Sequence, residues 1–482
     1  MDRRDFLATL PAVPVARGSG ATAPAATFSP AALGAVGDGI QDDTAALQAA
    51  LHAAGSFLAS YGMEQARAQV DLQGREHVIS RPLSWPVAQG ITLHNGAITA
   101  GPAFPRDGFL IAFQDPAPPR GQPTRLSTFR DVTFDCRRRG GALHLVNHGR
   151  SIVDSCFFKR AGTYAIRSVN GTGLSNELLV SRCRFDEWPA GDGAPTTVES
   201  TAISMEHFDS AIESCVIGPC RVGIDVNGQF NTVRATHVYA GFRPDTPDTE
   251  WVVDADGIVL RQSHCYIEGC YLDQCRVRLI NPYDVRVLNN LFYVHAPDDR
   301  FRFIELEFSA PGSGIQGVVI RDNGFVQNGR GHVRMIGVGG TGGLAGNPTS
   351  WHTSVIAQNA KGEAGGGSVT LQRLEEVVPG AAVHDHGRVT GTVTLDYGDK
   401  PRHVLVLAGH AAVAITNLPV GAELELTVDT GAGDGQLSFP RDVRWYGGRA
   451  PRVTQAAGRI DRFRFSRVSA AVTIGEVVGQ NA

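Results

Sequence analysis

The feature that most constrains this chain is a strand–break–strand unit that returns along its middle. In 211–229, AIESCVIGPCRVGIDVNGQ, a short strand over 212–217 is followed by a break at Gly218 and Pro219 and a second short strand over 223–227. First strands recur over 152–157, 179–185, 232–239, 266–272, 285–292, 319–325 and 354–359. Second strands recur over 142–146, 165–169, 202–206, 257–261, 277–281, 303–307 and 333–336. A period of roughly 20 to 36 residues built from short strands implies a solenoid, in which each unit buries its apolar face only against its neighbours. Strands running the same way in successive coils predict stacked parallel sheets.

One column supports this alignment. Cys156, Cys183, Cys215, Thr236, Cys270, Asn290, Asn323 and Asn359 take the same place in successive units. Small or amide side chains suit the inside of a coil turn, and stacked Asn side chains can bond one another. Near the N-terminus, 34–48 reads GAVGDGIQDDTAALQ, a turn leading into a helix. Asp42 or Asp43 is placed to accept from its first free N–H groups. Leu47, Ala50, Leu51 and Ala54 fall on one helical face.

The column and the opening motif together resemble the pectate-lyase-like superfamily of right-handed parallel β-helices. That resemblance implies an all-β fold: a right-handed parallel β-helix whose N-terminal helix plugs the open end. It does not choose a function, because the superfamily holds lyases, hydrolases, epimerases and phage tailspikes. From about residue 369 the repeat disappears, and 389–474 reads as a small antiparallel β domain. With Asn417-Leu418-Pro419 and Trp445-Tyr446-Gly447-Gly448 it resembles C-terminal modules of phage tail fibres, which implies a possible homotrimer.

With 482 residues the chain is long enough for a large core and a second domain. A net charge of −4 argues against nucleic acid as a partner. No apolar run is long enough for a transmembrane helix. The start, Arg3-Arg4-Asp5-Phe6-Leu7, followed by a weakly apolar stretch and small residues over 21–26, resembles a twin-arginine export signal. The expected organisation is an export signal over 1–26, the β-helix over 27–363 and the C-terminal domain over 364–482, in a periplasmic or secreted protein. Of the eight cysteines, the pairs Cys215–Cys220 and Cys270–Cys275 share a spacing that zinc sites use. Packing explains their recurrence better, since free buried Cys behaves as a small apolar residue. The expectation is no metal.

The second strands carry the candidate site. Alternation sends Ile166, Ile203, Met205, Ile224, Val226, Ile258, Leu260, Ile304, Leu306, Val333 and Met335 inward. It sends Arg167, Ser204, Glu206, Asp225, Asn227, Val259, Arg261, Arg278, Glu305, Glu307 and Arg334 outward. Glu206 and Asp225 fall on consecutive rungs, roughly 8 Å apart at Cα. Carboxyl separations of about 5 to 9.5 Å suit glycoside hydrolysis, with one group as acid and the other as nucleophile or base. Two long insertions, 186–200 and 240–256, flank these rungs and carry Trp188 and Trp251, whose rings suit the apolar faces of sugars. Arg167, Arg261 and Arg278 are suited to substrate carboxylates or to bridging the neighbouring acids. Asn227 completes the polar set, and Glu305 with Glu307 marks a further subsite. His207 points inward by parity.

The expected function is a glycoside hydrolase acting on an extracellular polysaccharide through Glu206 and Asp225, without a cofactor. The first alternative is a polysaccharide lyase that removes the C5 proton of a uronate, with Arg261 or Arg278 as base and Ca²⁺ as a possible cofactor. The second is a tailspike-like protein that binds glycan without cleaving it.

Overall fold

The computed structural model describes residues 25–479 except 62–65, 89, 114–125, 172, 174, 187–199, 240–254, 296–300, 308–316, 329–331, 340–354, 358, 365–367, 371–382, 398–401, 421, 433–434, 447 and 458. The export-type segment up to residue 24, Trp188 and Trp251 lie outside the described residues.

Each coil contains three strands, not the two that the sequence pattern suggests. In one coil they are Ile152–Asp154, Phe157–Lys159 and Tyr164–Val169. The stretch read as a single first strand is broken in its middle by a residue in the left-handed region: Ser155, Arg182, Ser214, Ala235, Asn289 and Asp322, each with φ between 48 and 58°. Each of these residues precedes a member of the Cys/Thr/Asn column, so the column lines the corner. It forms a bonded ladder, in which Asn290 donates to Asn323 Oδ1 at 2.9 Å and Asn323 donates to Asn359 Oδ1 at 3.1 Å. Above them, Cys215 N donates to the Thr236 hydroxyl and Cys270 N to Asn290 Oδ1.

Stacking in register makes a right-handed parallel β-helix. Among the described residues, first and second strands join in a bent 21-stranded sheet and third strands in an 11-stranded sheet. Columns of like side chains fill the interior. One runs Phe134, Phe158, Phe185, Ile217, Val238, Leu272, Phe292 and Phe325, with rings 4.7 to 5.2 Å apart where aromatics meet. Every third-strand residue expected to point inward is at most 2% exposed. Such side chains each stabilise by about 1.5 to 3 kcal/mol on burial.

The helix Thr44–Tyr61 buries Leu47, Ala50, Leu51, Ala54 and Leu58 in the same core. Asp42 Oδ1 accepts from Thr44 N at 3.0 Å. Asp43 instead turns back to Val36 N, Gly37 N and His77 Nδ1, tying the opening turn to the first coil.

Two boundaries shift. Ala25–Phe28 is already a strand, paired with Arg67–Ile79. Ser368–Thr370 pairs with His332–Gly339 as the last strand of the third sheet, so the helix reaches beyond residue 363. The C-terminal unit has its own core, from Val393 to Phe465. Among the described residues its seven strands form a mixed sheet rather than an antiparallel one. Val383–Asp396, Arg402–Thr416 and Glu423–Asp429 pair in parallel, and Ile460–Ser469 pairs antiparallel with Glu423–Asp429 and Val472–Gly479. The parallel partners Val383 and Arg402 are 19 residues apart (402 − 383), so the chain winds once more instead of folding into a hairpin.

All eight cysteines are buried thiols, none in a disulfide. Burial pushes the thiols of Cys265 and Cys270 up to about 11, which suits inert core residues. No helix among the described residues is long and apolar enough to cross a membrane.

Candidate active site

The register orders the outer face of the third sheet into two columns. One runs His144, Arg167, Ser204, Asp225, Val259, Arg278 and Glu305. Two residues further along each strand, the other runs Val169, Glu206, Asn227, Arg261, Ile280 and Glu307. Glu206 and Asp225 thus occupy neighbouring coils, offset by one outward position, at a Cα separation of roughly 8 Å.

The backbone of Glu206 is fixed from the coil before it: its N–H donates to Ser168 O, and its carbonyl accepts from Asn170 Nδ2 at 2.8 Å. The next residue, His207, points inward, is 0% exposed, and bonds the hydroxyls of Ser168 and Ser210. Burial holds its imidazole down to about 4, so it is neutral and structural. An inward residue 207 sends Glu206 outward. There its half-buried carboxyl has no ion pair or side-chain hydrogen bond among the described residues.

Asp225 differs. Arg261 grips both of its oxygens, Nε to Oδ1 at 2.7 Å and Nη2 to Oδ2 at 3.1 Å. Asn227 accepts from Gln262 Nε2 at 3.3 Å.

Two coils on, the acids and arginines close on one another. Arg278 donates to Glu307 Oε1 and Oε2 at 2.5 and 2.8 Å and to Asp256 Oδ2 at 2.7 Å. Arg276 donates to Asp256 Oδ1 at 2.7 Å and lies 3.4 Å from Glu305. The bonds from Glu307 hold the Arg278 guanidinium well above its ordinary range. Of the three candidate arginines, only Arg167 has no carboxylate partner among the described residues. It is half-buried over the Tyr164 ring, 5.4 Å from its centroid.

Some participants escape the sequence reading. His144 lies beside Arg167 under Phe109, with rings 5.0 Å apart. Burial, and then the charge of Arg167, push its imidazole below the usual value. The alternation Leu143–His144–Leu145 already carried that signal. Asp256 and Arg276 were hidden by a register shift between Asp256 and Ile258, where strand alternation breaks. Val259 points outward yet is 0% exposed.

No family model matches the chain. It is 30% identical over 275 residues to polygalacturonase QRT3 of Arabidopsis thaliana, a match spanning 55% of this chain and 52% of that protein. The chain therefore spans about half the length of this curated relative. Two solved structures are similar at lower identity. The mannuronan C-5 epimerase AlgE4 A-module of Azotobacter vinelandii has a TM-score of 0.46 at 14% identity, covering 73% of this chain and 100% of that one. The endo-xylogalacturonan hydrolase of Aspergillus tubingensis has 0.41 at 11%, covering 79% and 95%.

Proposed function

We propose that this protein is a glycoside hydrolase of an extracellular polysaccharide, with Glu206 as general acid and Asp225 as nucleophile or base. One observation carries the reading: of two outward carboxyls on adjacent coils, one is gripped through both oxygens by Arg261, while the other has no described partner. The gripped carboxylate is built to accept; the unpaired one is placed to give a proton to the leaving oxygen. Arg261 positions Asp225, and Arg167 is the cation left for an acidic substituent. Asn227 adds an amide beside Asp225, and Trp188 and Trp251 are assigned by sequence to stack on sugars, whereas Glu305 and Glu307 are already engaged by Arg276 and Arg278. The reading places the protein where extracellular polysaccharides are met, the destination that an export signal of the twin-arginine type would give.

The similarity to a polygalacturonase of Arabidopsis thaliana makes polygalacturonan the first glycan to assay, followed by a panel of neutral and acidic polysaccharides. The expected result is new reducing ends without ultraviolet absorbance from unsaturated sugars, unaffected by a chelator. Absorbing products would establish the lyase reading, which Arg167 favours as an unpaired cation for a uronate carboxylate. Binding without either product would leave a glycan-binding protein.

A further inference from the structure

Six successive coils turn from the third sheet back to the first through a non-glycine residue in the left-handed region. Arg150, Glu177, Asp209, Phe230, His264 and Asp284 hold this corner, with φ of 53, 52, 56, 58, 58 and 47°. Gly, Asn and Asp adopt that conformation at least cost, and a bulky residue there is uncommon. Charged side chains occupy the corner in four of these coils; between them it is taken by Phe230 and His264.

The two rings form a platform. Phe230 lies on the His264 imidazole with centroids 4.8 Å apart and planes within 5°. His264 Nδ1 is 2.8 Å from Asp284 Oδ2. Tyr283 closes on the same imidazole edge-on, 5.4 Å away at 83°. None of these side chains belongs to the core, and Phe230 and Tyr283 are 51% and 44% exposed. An aromatic that contributes nothing to the core and stays half in water has its apolar surface available to a ligand. The polar rim is present too. Asn227 and Gln262, both exposed and joined by one hydrogen bond, precede the platform on the same two coils, next to Asp225 and Arg261. The C–H face of a pyranose packs on an aromatic plane while its hydroxyls exchange hydrogen bonds with amides and carboxylates at the rim.

We propose that Phe230 and His264, braced by Asp284 and flanked by Tyr283, Asn227 and Gln262, form an accessory subsite for a pyranose of the glycan. The inference rests on the third sheet being the substrate face. The platform follows the third strands of its coils, at the edge of the face that carries Asp225 and Arg261. Phe230, His264 and Asp284 stand on three successive coils, roughly 10 Å along the axis. Phe230 shares a coil with Asp225, and His264 and Asp284 stand one and two coils beyond it, so a chain that runs past the cleavage coils covers the whole platform.

The test uses the full-length chain carrying Glu206→Gln, titrated calorimetrically with short and long oligogalacturonates. Phe230→Asn removes the ring with a residue that accepts the left-handed corner, and Phe230→Tyr keeps the ring. The expected result is that Phe230→Asn weakens binding of the long oligomer about tenfold, the scale of one aromatic contact. Phe230→Tyr restores it, and the short oligomer is unaffected. In the otherwise wild-type enzyme, Phe230→Asn should raise KM for the long oligomer with kcat within about twofold. Cleavage with Kd and KM both unmoved by Phe230→Asn would overturn the platform and leave the hydrolase reading intact. Tenfold-weakened binding in a protein that cleaves nothing would sustain the platform and remove the hydrolase reading. Equal losses for short and long oligomers would also overturn the subsite, since they would mark a distortion of the cleavage site.

Discussion

Two neighbouring stretches of one outer sheet use the same residue types to opposite effect. In coils 256–307, Asp256, Arg276, Arg278, Glu305 and Glu307 satisfy one another through a chain of contacts of 2.5 to 3.4 Å. In coils 164–227, Arg167 and Glu206 have no ion pair among the described residues, and Asp225 is held by an arginine from the next coil. Desolvated charges are tolerable when each is paired and hydrogen-bonded, as in the first stretch. In the second, the polar capacity is incomplete among the described residues, which is what a substrate can complete. A charged outer face is therefore not evidence of a site by itself; the unpaired members within it are.

The largest effect that would break this contrast is on turnover. Glu206→Gln or Asp225→Asn should lower kcat at least about 10²-fold on the glycan that the panel identifies, the scale of general acid–base catalysis. Arg276→Met, in the saturated stretch, should leave kcat within about twofold. Steady-state kinetics of the three variants decides it, and near-wild-type turnover in both amide variants would put the catalytic pair elsewhere.

Stability should show the reverse. Arg278→Met leaves Glu307 and the nearly buried Asp256 short of donors and should cost about 2 to 3 kcal/mol. Arg167→Met should stay within about 0.5 kcal/mol. Urea midpoints at constant m would read both; equal losses would erase the distinction between the stretches.

The residue that aims Glu206 outward should make stability pH-dependent. Burial lowers His207 from 6.5 to about 4, so the folded state binds the proton less readily than the unfolded chain. This contribution is fully present above pH 6.5 and is lost as pH falls through about 4. His207→Gln should flatten the unfolding midpoint over that window.

The smallest effect belongs to the ladder beneath both stretches. Cys215→Ser replaces a buried thiol that bonds the main-chain carbonyls of Val180 and Glu213 and the thiol of Cys183 and should cost about 1 to 2 kcal/mol. Turnover per folded molecule should stay unchanged. A large loss of turnover in well-folded protein would show that the column does more than hold the corner.

The sequence by itself determined the solenoid, the capping helix and the facing of the third strands. These follow from local period-two alternation and from a column of residues that recurs in every coil. Ile203 and Met205 point in and Glu206 points out for reasons contained in a few consecutive residues. Tertiary structure decided the rest. Ser155, Arg182, Ser214 and Ala235 are not residues that announce a left-handed corner, and they adopt it because the stacked coils above and below require the bend. The shift at Asp256 breaks alternation where two coils differ in length. The C-terminal strands look suited to hairpins, yet Val383–Asp396, Arg402–Thr416 and Glu423–Asp429 pair in parallel because the chain winds again before it reverses. Whether an arginine serves a substrate or its own sheet was equally hidden. Arg167 and Arg278 have the same parity and the same chemistry, and only the acids within reach on adjacent coils separate them.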